Sequence, residues 1–368
     1  METAKKIYFE LFETYKRRVK TKHLTWEAFS FERVDAQQLS ITAQQIVNKT
    51  WKVRGYYPFQ VFHPNRIINA PMYIDRIVEQ WFIEKYVQSV YVPKFHPNNM
   101  ACQPGKGPFL SMDQIKAALV ECYSLYGTDF YFYQYDIQKY FDNLRHEKAK
   151  ELMSEIDPEI FWLYENVVDS FYNVDCYAVK EFPNEKFGMP KGNLPSQWTG
   201  IIYLSDADWH FANNPKCLFS TRYMDDGVSL YRKKEDCSEQ HRFFENYLKQ
   251  QKMGIRLHPV KTVYAPISRG FTFCGWRYTI DRDGTLHVRI KQDKKKELEI
   301  RLRRVKEAVD AGKMSLFKAN QIRDGMFEYL SHGTESNHLI RYMKHMYPFP
   351  KSASTYQSPK GNGLATPL

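Results

Sequence analysis

From Phe130 to Asp136 the chain reads Phe-Tyr-Phe-Tyr-Gln-Tyr-Asp. A run this aromatic and this short does not suit a surface helix, so it predicts a buried strand that ends in an acid. Further on, Cys217–Tyr223, the acidic turn Asp225-Asp226-Gly227 and the strand-like run Val228-Ser229-Leu230-Tyr231 predict a hairpin with two acids at its tip. Side by side, these strands would bring Asp136, Asp225 and Asp226 to one end of a sheet. Taken alone, an Asp-Asp pair in a turn is turn chemistry. The order of the surrounding segments sets this pair apart: the acid-ended aromatic strand and a Gly-x-x-x-Gly-x-x-x-Ser loop precede the Tyr-Met-Asp-Asp hairpin, and a Phe-x-Gly-Trp hairpin follows it.

Around that frame, residues 1–110 read as helices with loop breaks. Ile7, Leu11, Tyr15 and Val19 recur at four-residue steps, which makes the N-terminus an amphipathic helix. A helix is expected over about 72–88, after the turn region 62–66 and the breaker Pro71. A glycine-rich turn occupies 103–107. Helices are expected over about 145–156 and 159–172, and again after the loop 188–197, with Ser196 as N-cap, to about Ala212. Another runs over about 235–252 and stops at Gly254. Strands flank Phe273-Cys274-Gly275-Trp276-Arg277-Tyr278, and Asp281-Arg282-Asp283-Gly284 closes a hairpin. Residues 293–346 are helical, with Lys291, Lys294, Lys295, Lys296, Arg301, Arg303, Arg304 and Lys306 gathered at the start. Such a run is either a solvated face or a phosphate-gripping surface. The tail 352–368, rich in Ser, Gly and Pro, reads as disordered.

A chain of 368 residues, 43% of them apolar, buries a large core in two or three lobes. Its net charge of +11 suits a polyanionic partner without proving one. Six cysteines with no C-x-x-C pair indicate neither a zinc module nor a disulfide framework. No stretch is long and apolar enough to span a bilayer, so a cytoplasmic protein with no membrane partner is expected.

Carboxylates on rigid neighbouring strands can hold a pair of hard divalent cations against a nucleoside triphosphate, the arrangement nucleotidyl transfer needs. Asp136 and Asp225 are expected as bridging ligands, Asp226 as a secondary ligand or orienter, and the Ile137 carbonyl as a further ligand. The expected cations are two Mg2+ ions, with Mn2+ able to substitute.

Tyr223-Met224-Asp225-Asp226, Asp136-Ile137-Gln138-Lys139-Tyr140-Phe141 and Phe273-Cys274-Gly275-Trp276 together resemble the reverse transcriptases over most of residues 60–345. The resemblance implies an α+β right-hand polymerase with an antiparallel palm sheet, copying an RNA template into DNA. It divides the chain into fingers (1–128), palm (129–284, with fingers-side helices at about 143–190), a helical thumb (285–350) and the tail (351–368). It implies that Phe141 blocks a ribose 2′-hydroxyl, that Arg66 lies on the incoming triphosphate, and that Lys191 and Gly192 border the incoming dNTP. Lys261 falls where a proton donor to departing pyrophosphate is proposed, a simple phosphate contact being the other reading. Lys106 sits in a turn similar to the family's Pro-Gly-Arg-Gly segment, either a phosphate contact or a plain surface turn.

Gly192-Asn193-Leu194-Pro195-Ser196-Gln197 and Ala265-Pro266-Ile267-Ser268-Arg269-Gly270 are similar to the reverse transcriptases of diversity-generating retroelements, a bacterial lineage close to group II introns. Those enzymes make error-prone cDNA that diversifies a target gene. Lys191 departs from that group, which carries an aliphatic residue there, so antiphage-defence and abortive-infection reverse transcriptases stay open, copying a noncoding RNA or polymerising without a template. An RNA-dependent RNA polymerase and a catalytically idle nucleic-acid-binding protein are the rival readings from outside the family. The expected partners are template RNA, a primer, dNTPs, a noncoding RNA scaffold and an accessory protein.

Overall fold

The computed structural model describes residues 3–21, 26–62 and 65–348. The turn residues His63 and Pro64 and the tail expected to be disordered lie outside the described residues. The chain divides into two compact units. One takes residues up to Cys274 together with Thr279–Leu286, and the other takes Gly275–Tyr278 with the residues from His287 on. The expected fingers and palm thus fall in one unit, apart from Gly275–Tyr278.

In the first unit, helix Ala4–Thr21 buries Ile7, Leu11 and Tyr15 at the predicted four-residue steps. The expectation of helices alone over 1–110 is corrected by an antiparallel hairpin, β1 (Tyr56–Phe62) and β2 (Asn65–Pro71). Its prolines masked it. Pro58 pairs with Asn69 in a two-stranded sheet, where each strand has an outer edge that tolerates a missing donor. The helix expected over 72–88 runs Tyr73–Phe82, passes through a π turn at Ile83–Val87 and ends at Tyr91. A helix over Pro108–Tyr126 has no counterpart among the expected elements, although Pro108 at its first turn and the buried Met112, Ile115, Leu119 and Cys122 give it a start and an inner face.

The central sheet contains β3 (Tyr131–Tyr135), β4 (Cys217–Tyr223), β5 (Asp226–Tyr231) and β6 (Val263–Pro266) in the order β4-β5-β3-β6, antiparallel throughout. The aromatic run is its buried strand. Tyr133 stacks on Phe211 at 6.3 Å between centroids, and Tyr135 meets Phe211 and Phe244, so helices Ser205–Ala212 and Lys234–Gln250 cover that face. Phe132 points the other way, onto Phe271 of β7 (Phe271–Phe273).

Three local expectations are corrected. Asp226 and Gly227 belong to β5, paired with Tyr223 and Arg222, so the turn is the two residues Met224-Asp225. Helix Leu194–Tyr203 is capped by Asn193, whose side chain accepts the Ser196 amide at 2.9 Å, with Ser196 as the donor. After helix Lys234–Gln250 the first left-handed residue is Lys252 (φ 50°), and Gly254 (φ 69°) lies where a Cβ would strike the Arg145 side chain.

The second unit takes most of β8 (Trp276–Ile280) and β9 (Leu286–Ile290), with helices Gln292–Asp310, Leu316–Ser331 and Ser336–Met346. Leu298, Leu302 and Val305 at helical spacing meet Ala319, Met326, Leu330 and Met343 in its core. Lys291, Lys296, Arg301, Arg303 and Arg304 are left on the exposed side.

Candidate active site

Tyr135 pairs with Gly227, so one further step along the antiparallel register sets Asp136 opposite Asp226, with Asp225 next to it in the turn. Gly227 is required there: a Cβ would overlap the Tyr135 ring. Beyond β3 the chain stays paired. Ile137 bridges Leu257, the Asp136 carbonyl accepts the His258 amide at 2.8 Å, and the Gln138 amide reaches the Arg256 carbonyl at 3.0 Å. The Ile137 carbonyl takes no part in that bridge. Asp136 is therefore held by backbone on both sides of its side chain.

Asp225 is partly buried, and this desolvation, reinforced by the nearby Asp136 charge, pushes its carboxyl up to about 6; Lys261 and Arg222 oppose the shift. The Asp136 charge thus disfavours ionisation of Asp225. Lys261 Nζ sits 2.5 Å from Asp136 Oδ2, an exposed cation on a carboxylate that is 14% exposed. Its loop is folded by His258, whose Nδ1 accepts the Val260 and Lys261 amides.

Hard carboxylate oxygens already attracting a cation fit magnesium or manganese. Among the described residues no group of three or more His, Cys, Asp or Glu side chains forms a metal-binding set. Two carboxylates supplemented by phosphate oxygens are the usual way magnesium is held at a nucleotide.

An ordinary Asp titrates near 3.8 and the folded Asp225 near 6, so the folded chain holds this proton more tightly than the unfolded chain does. The group's contribution to stability is present at low pH and lost as pH rises through about 6, at up to about 1.4 kcal/mol per pH unit. With divalent ions chelated, the melting temperature of the wild type should fall relative to Asp225→Asn between pH 4.5 and 7. A difference that stays flat across that range contradicts the arrangement.

The turn itself is strained, because Met224 has φ 58°. Arg222 holds it. The fully buried guanidinium donates to the Met224 carbonyl at 2.7 Å and to the Ile201 carbonyl at 2.9 Å, and grips both Asp208 oxygens at 2.6 Å. Burial alone would lower the Arg222 pKa, but Asp208 reverses the sign and raises it. Sequence reasoning missed both residues, because an Arg in a strand and an Asp in a helix read as surface charges. Arg222→Met strands a buried carboxylate and should cost about 3–5 kcal/mol. Adding Asp208→Leu should recover most of that in urea melts while polymerisation stays impaired, since the Met224 carbonyl has lost its donor. Full recovery of activity in the double variant would remove the positioning role.

The loop 188–193 lies between two elements. The Met189 amide donates to the Phe141 carbonyl at 2.8 Å, and the Lys191 carbonyl accepts the Asn69 amide of β2 at 2.7 Å. Gly192 (φ 128°) is needed because a Cβ would lie 2.6 Å from Ile68. The Phe141 ring packs towards Gly200 of helix Leu194–Tyr203. Lys191 pairs with Asp142 at 2.7 Å. Arg66 is exposed on β2, opposite Val61 and two residues before Ile68. Lys106 donates to the Pro97 and Asn99 carbonyls at 2.8 and 3.0 Å, which answers to the plain structural turn. The Asp136, Asp225 and Lys261 side chains thus converge, with Asp226 beside them in register. Phe141, Lys191 and Gly192 form a second group joined to β2.

The family model described as "Reverse transcriptase (RNA-dependent DNA polymerase)" matches residues 64–278, more than half of the chain. No curated protein matches the sequence. Among solved structures, apo telomerase from Candida tropicalis truncated from the C-terminal domain is similar at 15% identity and TM-score 0.43, covering 70% of this chain and 60% of that one. Apo telomerase from the same organism is similar at 14% identity and TM-score 0.48, covering 80% and 59%. The chain spans about three fifths of those telomerase chains.

Proposed function

We propose, for a chain that belongs to the reverse transcriptase (RNA-dependent DNA polymerase) family, that it synthesises DNA on an RNA template at the Asp136–Asp225 site. The observation that carries this reading is the β3–β5 register, which brings Asp136 at the end of one strand beside Asp225 in the turn before the next, with the raised Asp225 carboxyl in keeping with that closeness. Two like charges are held together where a divalent cation would relieve them.

Asp136 and Asp225 would hold two magnesium ions, with Asp226 orienting the site. When bound, the ions supply Lewis-acid stabilisation of the primer 3′-oxygen and the leaving pyrophosphate. Arg66 offers a planar fork of donors to the triphosphate. Lys261, paired with Asp136 here and released when a cation takes its place, would pass a proton to pyrophosphate or contact its phosphates. Phe141 closes the space a 2′-hydroxyl needs, and Lys191 and Gly192 border the sugar and base. Residues 1–128, 129–284 and 285–350 take the roles of fingers, palm and thumb, and the basic side of helix Gln292–Asp310 grips phosphates of template and primer. Among the described residues no helix is long and apolar enough to cross a membrane.

The finer reading is a retroelement enzyme that makes cDNA to diversify a target gene, favoured by Gly192, Asn193, Ser196 and Gln197. Lys191 departs from that pattern and keeps open a second reading, an antiphage-defence or abortive-infection enzyme that copies an associated noncoding RNA or polymerises without a template. Neighbouring genes separate them: paired template and variable repeats go with the first, a defence island with the second. The general reading is tested by magnesium-dependent dTTP incorporation on poly-rA with an oligo-dT primer. Template-dependent product is expected, and equal product without template would point to a template-independent polymerase.

A further inference from the structure

Lys191 is tied at both ends. Its carbonyl accepts the Asn69 amide of β2, and its ammonium reaches Asp142 Oδ2 at 2.7 Å, each side chain 29% exposed. Asp142 directly follows Phe141, and its own backbone is fixed by the Lys139 carbonyl at 3.0 Å and by the Asn173 side chain at 3.2 Å. Phe141 is fixed in turn through its carbonyl by Met189, two residues before Lys191. The segment 141–142 and strand β2 are therefore cross-braced through one residue, and the ion pair is the side-chain link in that brace. An aliphatic residue at 191 would keep the backbone bonds and lose that link.

We propose that the Lys191–Asp142 ion pair sets sugar selectivity, Asp142 acting as a positioning residue that locks the Phe141 wall against the loop bordering the nucleotide. This rests on the reading of Phe141 as the barrier to a 2′-hydroxyl. A wall discriminates only as well as it resists displacement, and a group excluded by contact gains entry when its neighbour yields by a fraction of an ångström. A partly buried pair with both charges satisfied supplies that stiffness, whereas neutralising either charge leaves the other unpaired and the segment free to shift.

The test is a double-mutant cycle on the ratio of kcat/KM for dGTP to that for GTP, measured on poly-rC with an oligo-dG primer. Wild type, Lys191→Met, Asp142→Asn, the double variant and Phe141→Ala are compared. Each single change should lower the ratio about tenfold through a rise in the GTP value, and the double should lose no more than either single. A merely structural defect would depress both nucleotides alike. If Phe141→Ala loses discrimination while the Lys191 and Asp142 variants keep it, or if their effects multiply, the brace is overturned and the reading of Phe141 stands. If wild type uses both nucleotides equally, both fall.

Discussion

Asp225→Asn lowers dTTP incorporation on poly-rA by about a thousandfold or more, equivalent to about 4 kcal/mol of lost transition-state stabilisation. The same loss is expected for Asp136→Asn. What makes Asp225→Asn informative is the direction of its second effect. The native carboxylate is partly buried near the Asp136 charge, so its amide isostere relieves desolvation and repulsion and is at least as stable as wild type at pH 7 in the absence of metal. Inactivity in a variant that is no less stable cannot be traced to unfolding. Incorporation assays and urea melts on the same preparation give both numbers, and activity within about tenfold of wild type would refute the role given to this acid.

Phe141→Ala raises GTP incorporation roughly a hundredfold while dGTP incorporation changes far less, the size expected when a packed apolar wall is the main barrier to one hydroxyl. The ring lies against helix Leu194–Tyr203 at Gly200 and edge-on to Tyr140 at 5.5 Å between centroids. Truncation therefore opens space at the site more than it empties the core. Equal ribonucleotide use by wild type and variant would place the discrimination elsewhere, or remove it and favour an RNA-synthesising enzyme.

The aromatic strand and the acidic hairpin were legible because both are local signals: a dense run of rings announces a strand, and Asp-Asp-Gly announces a turn. Register then did the rest, pairing Tyr135 with Gly227. Harder to see was whatever depended on partners far along the chain. Arg222 and Asp208 read as solvated charges until helix Ser205–Ala212 packs on the sheet. Asp142 gains its role only when the loop at Lys191 folds back on it. The β1–β2 hairpin was hidden by its prolines and by exposed apolar residues such as Tyr57 and Ile67, which blur the alternation. At Lys106 a lysine in a glycine-rich turn looked available for phosphate, yet the chain's own carbonyls hold it.

Anomalous scattering from Mn2+ in crystals grown with a deoxynucleoside triphosphate tests the central claim most directly. Manganese is expected to be ligated by both the Asp136 and the Asp225 carboxylates, with Lys261 displaced from Asp136 and the peak lost in Asp225→Asn. Manganese bound to the triphosphate alone, with Lys261 still on Asp136 and both carboxylates unligated in a chain that polymerises, would contradict it.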